Sequence, residues 1–349
     1  MADVAQRLKQ IPGYQPGMPA HRMDEVTFMD ELELMWGRKW GAQSDLGELK
    51  LAIVHRPGEE ELAEDILAEP SLFFPFGTEV APLDLPKKQR QHDEFVAALR
   101  SEGVEVTYAN FSPTSRGIYT GIRALFAPEP QVINGGAIIP RHGVAVKKGM
   151  ERIWTEKLVE VGCPILYTIH GSGIHDVRAN TVWLDSKTCV VACSPRSNLE
   201  GIRQVEPIYR NAGVKEIHIA YLVGYLYTRK RSGAYCGYHL DMSLSMVAER
   251  LAVVYPGVLD YDTIAYLRSK KIKLIEVPEE EVLNAAGNCL AVRPGVIVMA
   301  AGNPVTTAAL RREGVRVIEL NLSEMAPKGA GPVCITGPLI RDPGPDLDD

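Results

Sequence analysis

Cys334 stands in GAGPVCITGPLIR (329–341), a stretch of Gly, Ala and Pro that follows the strand-like end of LRREGVRVIEL (310–320). A Gly/Pro-rich run holds neither a helix nor a central strand, so this piece is a shaped loop and backbone displays its thiol. Gly329, Gly331 and Pro332 bring the main chain tightly around Cys334, which favours an exposed sulfur with amides nearby, the setting of a nucleophile. A structural thiol is more often found inside a strand. The second signal is YHLDMSLSMVAERLAVVYP (238–256), where His239 and Asp241 sit at i and i+2 of an apparent strand and so share one face, with Leu240 and Met242 directed the other way. A lone His-x-Asp pair is usually an ordinary surface or core pair. Beside a displayed cysteine it becomes half of a thiol/imidazole system. In IHGSGIHDVRANTVWLD (169–185), His170, His175, Asp176 and Arg178 crowd the start of a strand, where polar groups are costly unless exposed or paired. A solvated turn is the plain alternative for His170 and Arg178.

The elements that must position these residues announce themselves by repetition. LRSEGVEVTYA (99–109), LVEVGCPILYT (158–168), YRNAGVKEIHI (209–219), LRSKKIKLIEV (267–277) and LRREGVRVIEL (310–320) each read as a helix end followed by a strand. Four carry Gly at the fifth position, where the residue after a helix turns to positive φ; in the fourth echo Lys271 replaces it. Strand-like runs and amphipathic helices precede these phrases, giving a β-β-α-β unit that cannot bury its apolar face alone. Five such modules arranged in a ring over residues 47–342 are expected. The alternative is an ordinary doubly wound α/β sheet. No GxGxxG or GxxxxGK[ST] loop follows any strand, so a nucleotide-binding version has no support.

Composition narrows the function classes. The chain has 349 residues, 46% of them hydrophobic, enough for one large core or two ordinary ones. MADVAQRLKQ has no apolar signal region and no run is long enough to cross a bilayer, so neither secretion nor membrane insertion is expected. Six cysteines are too sparse for a disulfide scaffold, which places the chain in a reducing cytoplasm. Cys189 and Cys193 read as core thiols of a strand, and no metal site is indicated. With a net charge of −6 and only short basic clusters such as RKR (229–231), nucleic acid is a poor partner. Residues 1–46 read as an amphipathic helical arm that packs on its own ring or on a neighbouring subunit, the latter making a homo-oligomer; residues 343–349 are an acidic, mobile tail.

Taken together and in order, these residues resemble the pentein superfamily of arginine deiminases, dimethylarginine dimethylaminohydrolases and amidinotransferases. The likeness spans residues 47–342. RPG (56–58) and QHDEFVAALRSEGVEV (91–106) are similar to the first deiminase module, HLD (239–241) to the family His-x-Asp motif, CSPR (193–196) to its Ser-x-Arg turn, and GPVCITGPLIR (331–341) to its nucleophile loop. The resemblance implies a five-bladed, pseudo-symmetric α/β propeller of ββαβ modules forming a single catalytic domain. It also implies a cysteine-dependent hydrolase of a guanidino or related C–N group, working through a covalent S-amidino intermediate without metal or organic cofactor. In that scheme Cys334 attacks, His239 protonates the departing amine and then activates water, Asp176 assists, and Asp241, Glu129, Arg196 and His175 bind a small guanidino or ureido substrate. An imidazolium and backbone amides would lower the thiol pKa.

Two departures fall on acids that grip substrate. FAPEP (126–130) stands where deiminases have Arg-Asp, so Glu129 takes that carboxylate's place; GIHD (173–176) stands for Glu-Gly-Gly-Asp, leaving Gly173 in place of an acid. Asp176 matches the second acid, and His175 or Asp176 is the candidate substitute for the missing one. A head group that is neutral or altered is therefore as reasonable as an unmodified arginine. An amidinotransferase, passing the group to an amine, is the nearest rival activity, and a non-catalytic binding platform is the reading from another class.

Overall fold

Gly103, Gly162, Gly213 and Gly314 have φ of 86°, 88°, 96° and 79°, and Lys271, in the echo that lacks glycine, takes φ 58° all the same. The five repeated phrases are thus five copies of one turn, in which a left-handed residue ends a helix and releases the chain into a strand. Lys271 adopts this turn although a side chain makes it less favourable. The computed structural model describes residues 2–17, 22–59, 84–109, 129–144, 147–223, 239–325 and 330–347.

Among these residues the strands form five separate three-stranded sheets. The first combines β15 (Gly337–Arg341), β1 (Leu49–Val54) and β2 (Glu105–Tyr108); the second β3 (Gln131–Ile133), β4 (Gly136–Ile139) and β5 (Ile165–Thr168). The third holds β6 (Thr181–Asp185), β7 (Thr188–Cys193) and β8 (Glu216–Tyr221), the fourth β9 (Leu244–Ala248), β10 (Leu251–Val254) and β11 (Lys273–Glu276), and the fifth β12 (Leu290–Arg293), β13 (Val296–Ala300) and β14 (Arg316–Leu320). Every sheet has the same plan: the middle strand pairs antiparallel with one neighbour and, after a helical crossover, parallel with the strand that carries the repeated phrase. A doubly wound sheet is excluded by this topology. Strands that begin one sheet touch those that begin another: β3 meets β15, β6 meets β9, β9 meets β12, and β12 meets β1 of the first sheet. These strands are apolar on both faces because sheets flank them on both sides.

The arm folds back on its own chain. Thr27 caps the helix Phe28–Trp36, whose Leu32 is buried; Met29 and Phe28 cover Gly135 of the second sheet, and the Trp36 carbonyl accepts from the Trp40 indole at 3.0 Å. The tail is tied rather than mobile as far as Leu347, whose amide donates to Asp185 and whose carbonyl accepts from Arg250. RKR (229–231), Phe126–Pro128 of FAPEP, Gly329 and the last two residues lie outside the described residues.

The segments that carry the polar motifs are the ones that enter the first strand of each sheet. Glu129 precedes β3, Asp176 and Arg178 precede β6, His239 and Asp241 precede β9, and Cys334 precedes β15. Their placement depends on close backbone packing. A Cβ on Gly287 would lie 2.3 Å from the Met242 carbonyl, so the chain before β12 rests directly on the turn that holds Asp241. Gly287→Ala should therefore cost about 1–3 kcal/mol through overpacking, read as a lowered urea midpoint with secondary structure retained.

Candidate functional site

His239, Leu240, Asp241 and Met242 do not form the strand that their alternation suggested. Residues Leu240–Met242 make one turn of 3-10 helix, with His239 extended ahead of it at φ −126° and ψ 137°. The turn is pinned at its amides: Asp241 N donates to the Ala179 carbonyl at 3.0 Å and Leu240 N to Asn180 Oδ1 at 3.2 Å. A turn, unlike a strand, brings Met242 round to the same side as Asp241. The Cys334 sulfur lies 3.8 Å from Asp241 Oδ2, to which its S–H donates, and 3.7 Å from Met242 Sδ.

Asn288 locks this turn to the nucleophile loop. Its Nδ2 donates to the Asp241 carbonyl at 2.9 Å and its Oδ1 accepts from Val333 N at 2.9 Å. Gly331 is required beside it, because a Cβ there would come 2.4 Å from Asn288 Oδ1. No motif in the sequence marked Asn288; a lone Asn before a strand carries no signal of its own.

Asp176 is fully buried and held by two imidazoles. His142 Nδ1 donates to its Oδ1 at 2.7 Å and His239 Nε2 to its Oδ2 at 2.9 Å. Burial alone would raise this carboxyl, but the charge and hydrogen bond of His142, the hydrogen bond of His239 and the charge of Lys147 outweigh it and keep the group well below the usual carboxylate range. Asp176, not His175, thus occupies the acid position beside His239. Gly173 could not be replaced by the missing acid without rearrangement, since a Cβ there would lie 2.7 Å from Gln204 Nε2. His142 was invisible in the sequence, where it is one histidine in an unremarked PRHG.

The other sequence candidates fall on two sides of the site. Glu129 is buried and ion-paired to Lys147, and its charge reaches both Asp241 and Cys334. Its atoms cluster with those of His142 and Asp176 to within 4.8 Å. That triad has the donor types of a metal site, but the Lys147 ammonium already holds Glu129 and both Asp176 oxygens already accept from imidazoles. Arg178, for which a solvated turn was the plain alternative, is buried and acts on both Asp241 and Cys334. His175, expected to contact substrate, faces inward: it is fully buried and shares a 2.7 Å hydrogen bond with Ser197 Oγ. Arg196 lies on the same turn, where its carbonyl accepts from Asp176 N at 3.3 Å. His170 sits outside the cluster, bonded to Tyr167.

The thiol itself differs from expectation. Burial first, then the Asp241 charge, push Cys334 well above its ordinary value, while the Gly331 amide and Arg178 pull it back only in part. Burial likewise raises Asp241, against the charges of His239 and Arg178. The Cys334–Asp241 contact thus joins two groups that burial biases towards their neutral forms.

Residues 260–341 match the family model described as "Arginine deiminase". Across nearly all of its length, 98%, the chain is 25% identical to 2-nitroimidazole nitrohydrolase of Mycobacterium sp. (strain JS330), covering 94% of that protein. Among solved structures, the N-terminal domain of ArgZ, an arginine dihydrolase from the ornithine–ammonia cycle in cyanobacteria, superposes with a TM-score of 0.67 at 15% identity, over 85% of this chain and all of that one. A dimethylarginine dimethylaminohydrolase of Pseudomonas aeruginosa, complexed with citrulline, superposes with a TM-score of 0.62 at 21% identity, over 84% of this chain and all of that one. Both structural likenesses are likenesses of fold.

Burial lowers His175 from its ordinary 6.5 to about 4, with Asp176 partly opposing. The unfolded chain then binds a proton that the folded one refuses, so stability should fall as pH drops from 6.5 towards 4. Urea midpoints across that window should decline for the wild type and decline less steeply for His175→Asn, which retains a partner for Ser197.

Proposed function

We propose that the chain is a pentein-type, cysteine-dependent hydrolase of a guanidino or related C–N group whose five sheets are the blades of a closed ring. The observation that carries the reading is the convergence, from three different sheet entrances, of two hydrogen-bonded pairs, Cys334 with Asp241 and His239 with Asp176, joined by the turn that carries both His239 and Asp241. Sequence similarity to the nitrohydrolase, spread over nearly the full chain, supports hydrolytic cleavage of a C–N bond on an amidine-like carbon. ArgZ, which shares the fold, is known covalently bonded to a reaction intermediate.

In the proposed reaction the Cys334 sulfur bonds to the substrate carbon as its proton passes to Asp241 Oδ2. The carbon–nitrogen bond breaks with its electron pair on nitrogen, and that nitrogen takes a proton from His239. Water then attacks the thio-linked carbon and returns a proton to His239. The carbon–sulfur bond breaks, and sulfur recovers its proton from Asp241. The sum is addition of one water and release of one N–H compound. Asp176 keeps the imidazole oriented and stabilises its protonated form, as a carboxylate behind a catalytic histidine does. Asn288 keeps sulfur and carboxylate in register.

Guanidino, ureido and nitroazole compounds should be screened for release of ammonia, amine or nitrite. With an active compound, acid quenching and mass spectrometry should find the carbon fragment on the Cys334 peptide. Cys334→Ala should abolish turnover and Asp176→Asn should lower kcat about a hundredfold or more. An active Cys334→Ala protein would refute the reading.

A further inference from the structure

We propose that the site is built for a neutral, planar amidine-type head rather than a guanidinium cation, and that Lys147, paired with Glu129, is the residue that excludes the cation. The chemistry of this substrate class rests on the hydrolase reading, but the charge argument does not. Among the described residues, Asp241 and Glu129 act on the thiol and Asp176 lies beside Glu129, and each accepts from a neighbour. Glu129 holds the Lys147 ammonium, Asp176 accepts from His142 and His239, and Asp241 accepts the Cys334 S–H while lying in the field of Arg178. A fourth acid on the adjoining cavity, Asp45, is offset by Arg341 and Arg178.

Among the described residues the fixed charges balance with both imidazoles neutral: Glu129, Asp176, Asp241 and Asp45 stand against Lys147, Arg178, Arg341 and Lys148, the last bonded to the His142 carbonyl and in the field of Asp176. A guanidinium buried here would bring an uncompensated cation into a low-dielectric site beside Lys147 and Arg178, which is strongly unfavourable.

The unfilled hydrogen-bonding positions point the same way. Asp241 Oδ1 and Arg178 Nε are buried without hydrogen-bond partners among the described residues, and both residues line one cavity together with Val333, next to the nucleophile. Asp241 Oδ1 requires an N–H donor and Arg178 Nε–H requires an acceptor. A guanidinium offers donors only, whereas a neutral N–C=N unit offers one of each. Discrimination of this kind comes from a repulsive element as much as from an attractive one, and Lys147 is that element.

Binding of nitroguanidine, which is neutral and planar, and of methylguanidinium is measured by calorimetry on Cys334→Ala protein, which cannot turn either over. Nitroguanidine should bind about tenfold or more tightly than methylguanidinium. Adding Lys147→Met frees Glu129 and should reverse the order; adding Glu129→Gln instead leaves Lys147 unopposed and should weaken methylguanidinium further while changing nitroguanidine little. The proposal is overturned if methylguanidinium binds at least as tightly as nitroguanidine, if neither binds, or if both charge variants leave the ratio unchanged. A covalent adduct on Cys334 with the preference absent leaves the hydrolase standing and removes this inference; the preference without any adduct does the reverse.

Discussion

A carboxylate buried between two imidazoles is the interaction on which this site depends. Asp176 has no exposure, and an ionised carboxyl removed from water costs several kcal/mol unless charge and hydrogen bonds replace the lost hydration. His142 and His239 supply both. The three residues come from the chain after β4, before β6 and before β9, so a single electrostatic contact ties together segments of the second, third and fourth sheets. Removing any member leaves a buried charge or a buried donor unmatched, which makes the arrangement all-or-none.

The repeat architecture supplies the frame for that contact. Each module starts with a buried strand packed against strands of other sheets, and among the described residues the segments leading into these strands carry the polar groups of the site. Reactive side chains therefore arrive one segment at a time, each on its own short turn. Asn288 shows how such turns are kept in register: its single amide group bonds the Asp241 turn on one side and the Cys334 loop on the other.

Much of this was legible in the sequence because it rests on backbone rules. The recurring left-handed residue after each helix, even as Lys271, marks five copies of one unit, and a cysteine among glycines marks a loop. The HLD motif suggested the wrong local structure, since period-two alternation cannot distinguish a strand from a single 3-10 turn that leads into one. His142, Lys147 and Asn288 were not legible: each works through a partner distant in sequence, and no spacing rule reports on that. The upward shift of the partly exposed Cys334 thiol was not legible for a related reason. Nearby amides were visible in the glycines, whereas the burial and the Asp241 charge that dominate it arise only from tertiary packing.

The strand that completes the first sheet comes from the far end of the chain, with β15 pairing to β1 across almost the whole sequence. A ribosome making this protein must therefore release nearly everything before the opening sheet has its third strand, and the sulfur lies only three residues ahead of that strand. Until β15 is made and paired, the Cys334 loop has no anchor in the first sheet. Folding must also wait for the longest loop closure available to the chain, which slows it. The same late closure means that a chain stopped short of Gly337 lacks the third strand of its first sheet and, with it, the anchor of the Cys334 loop.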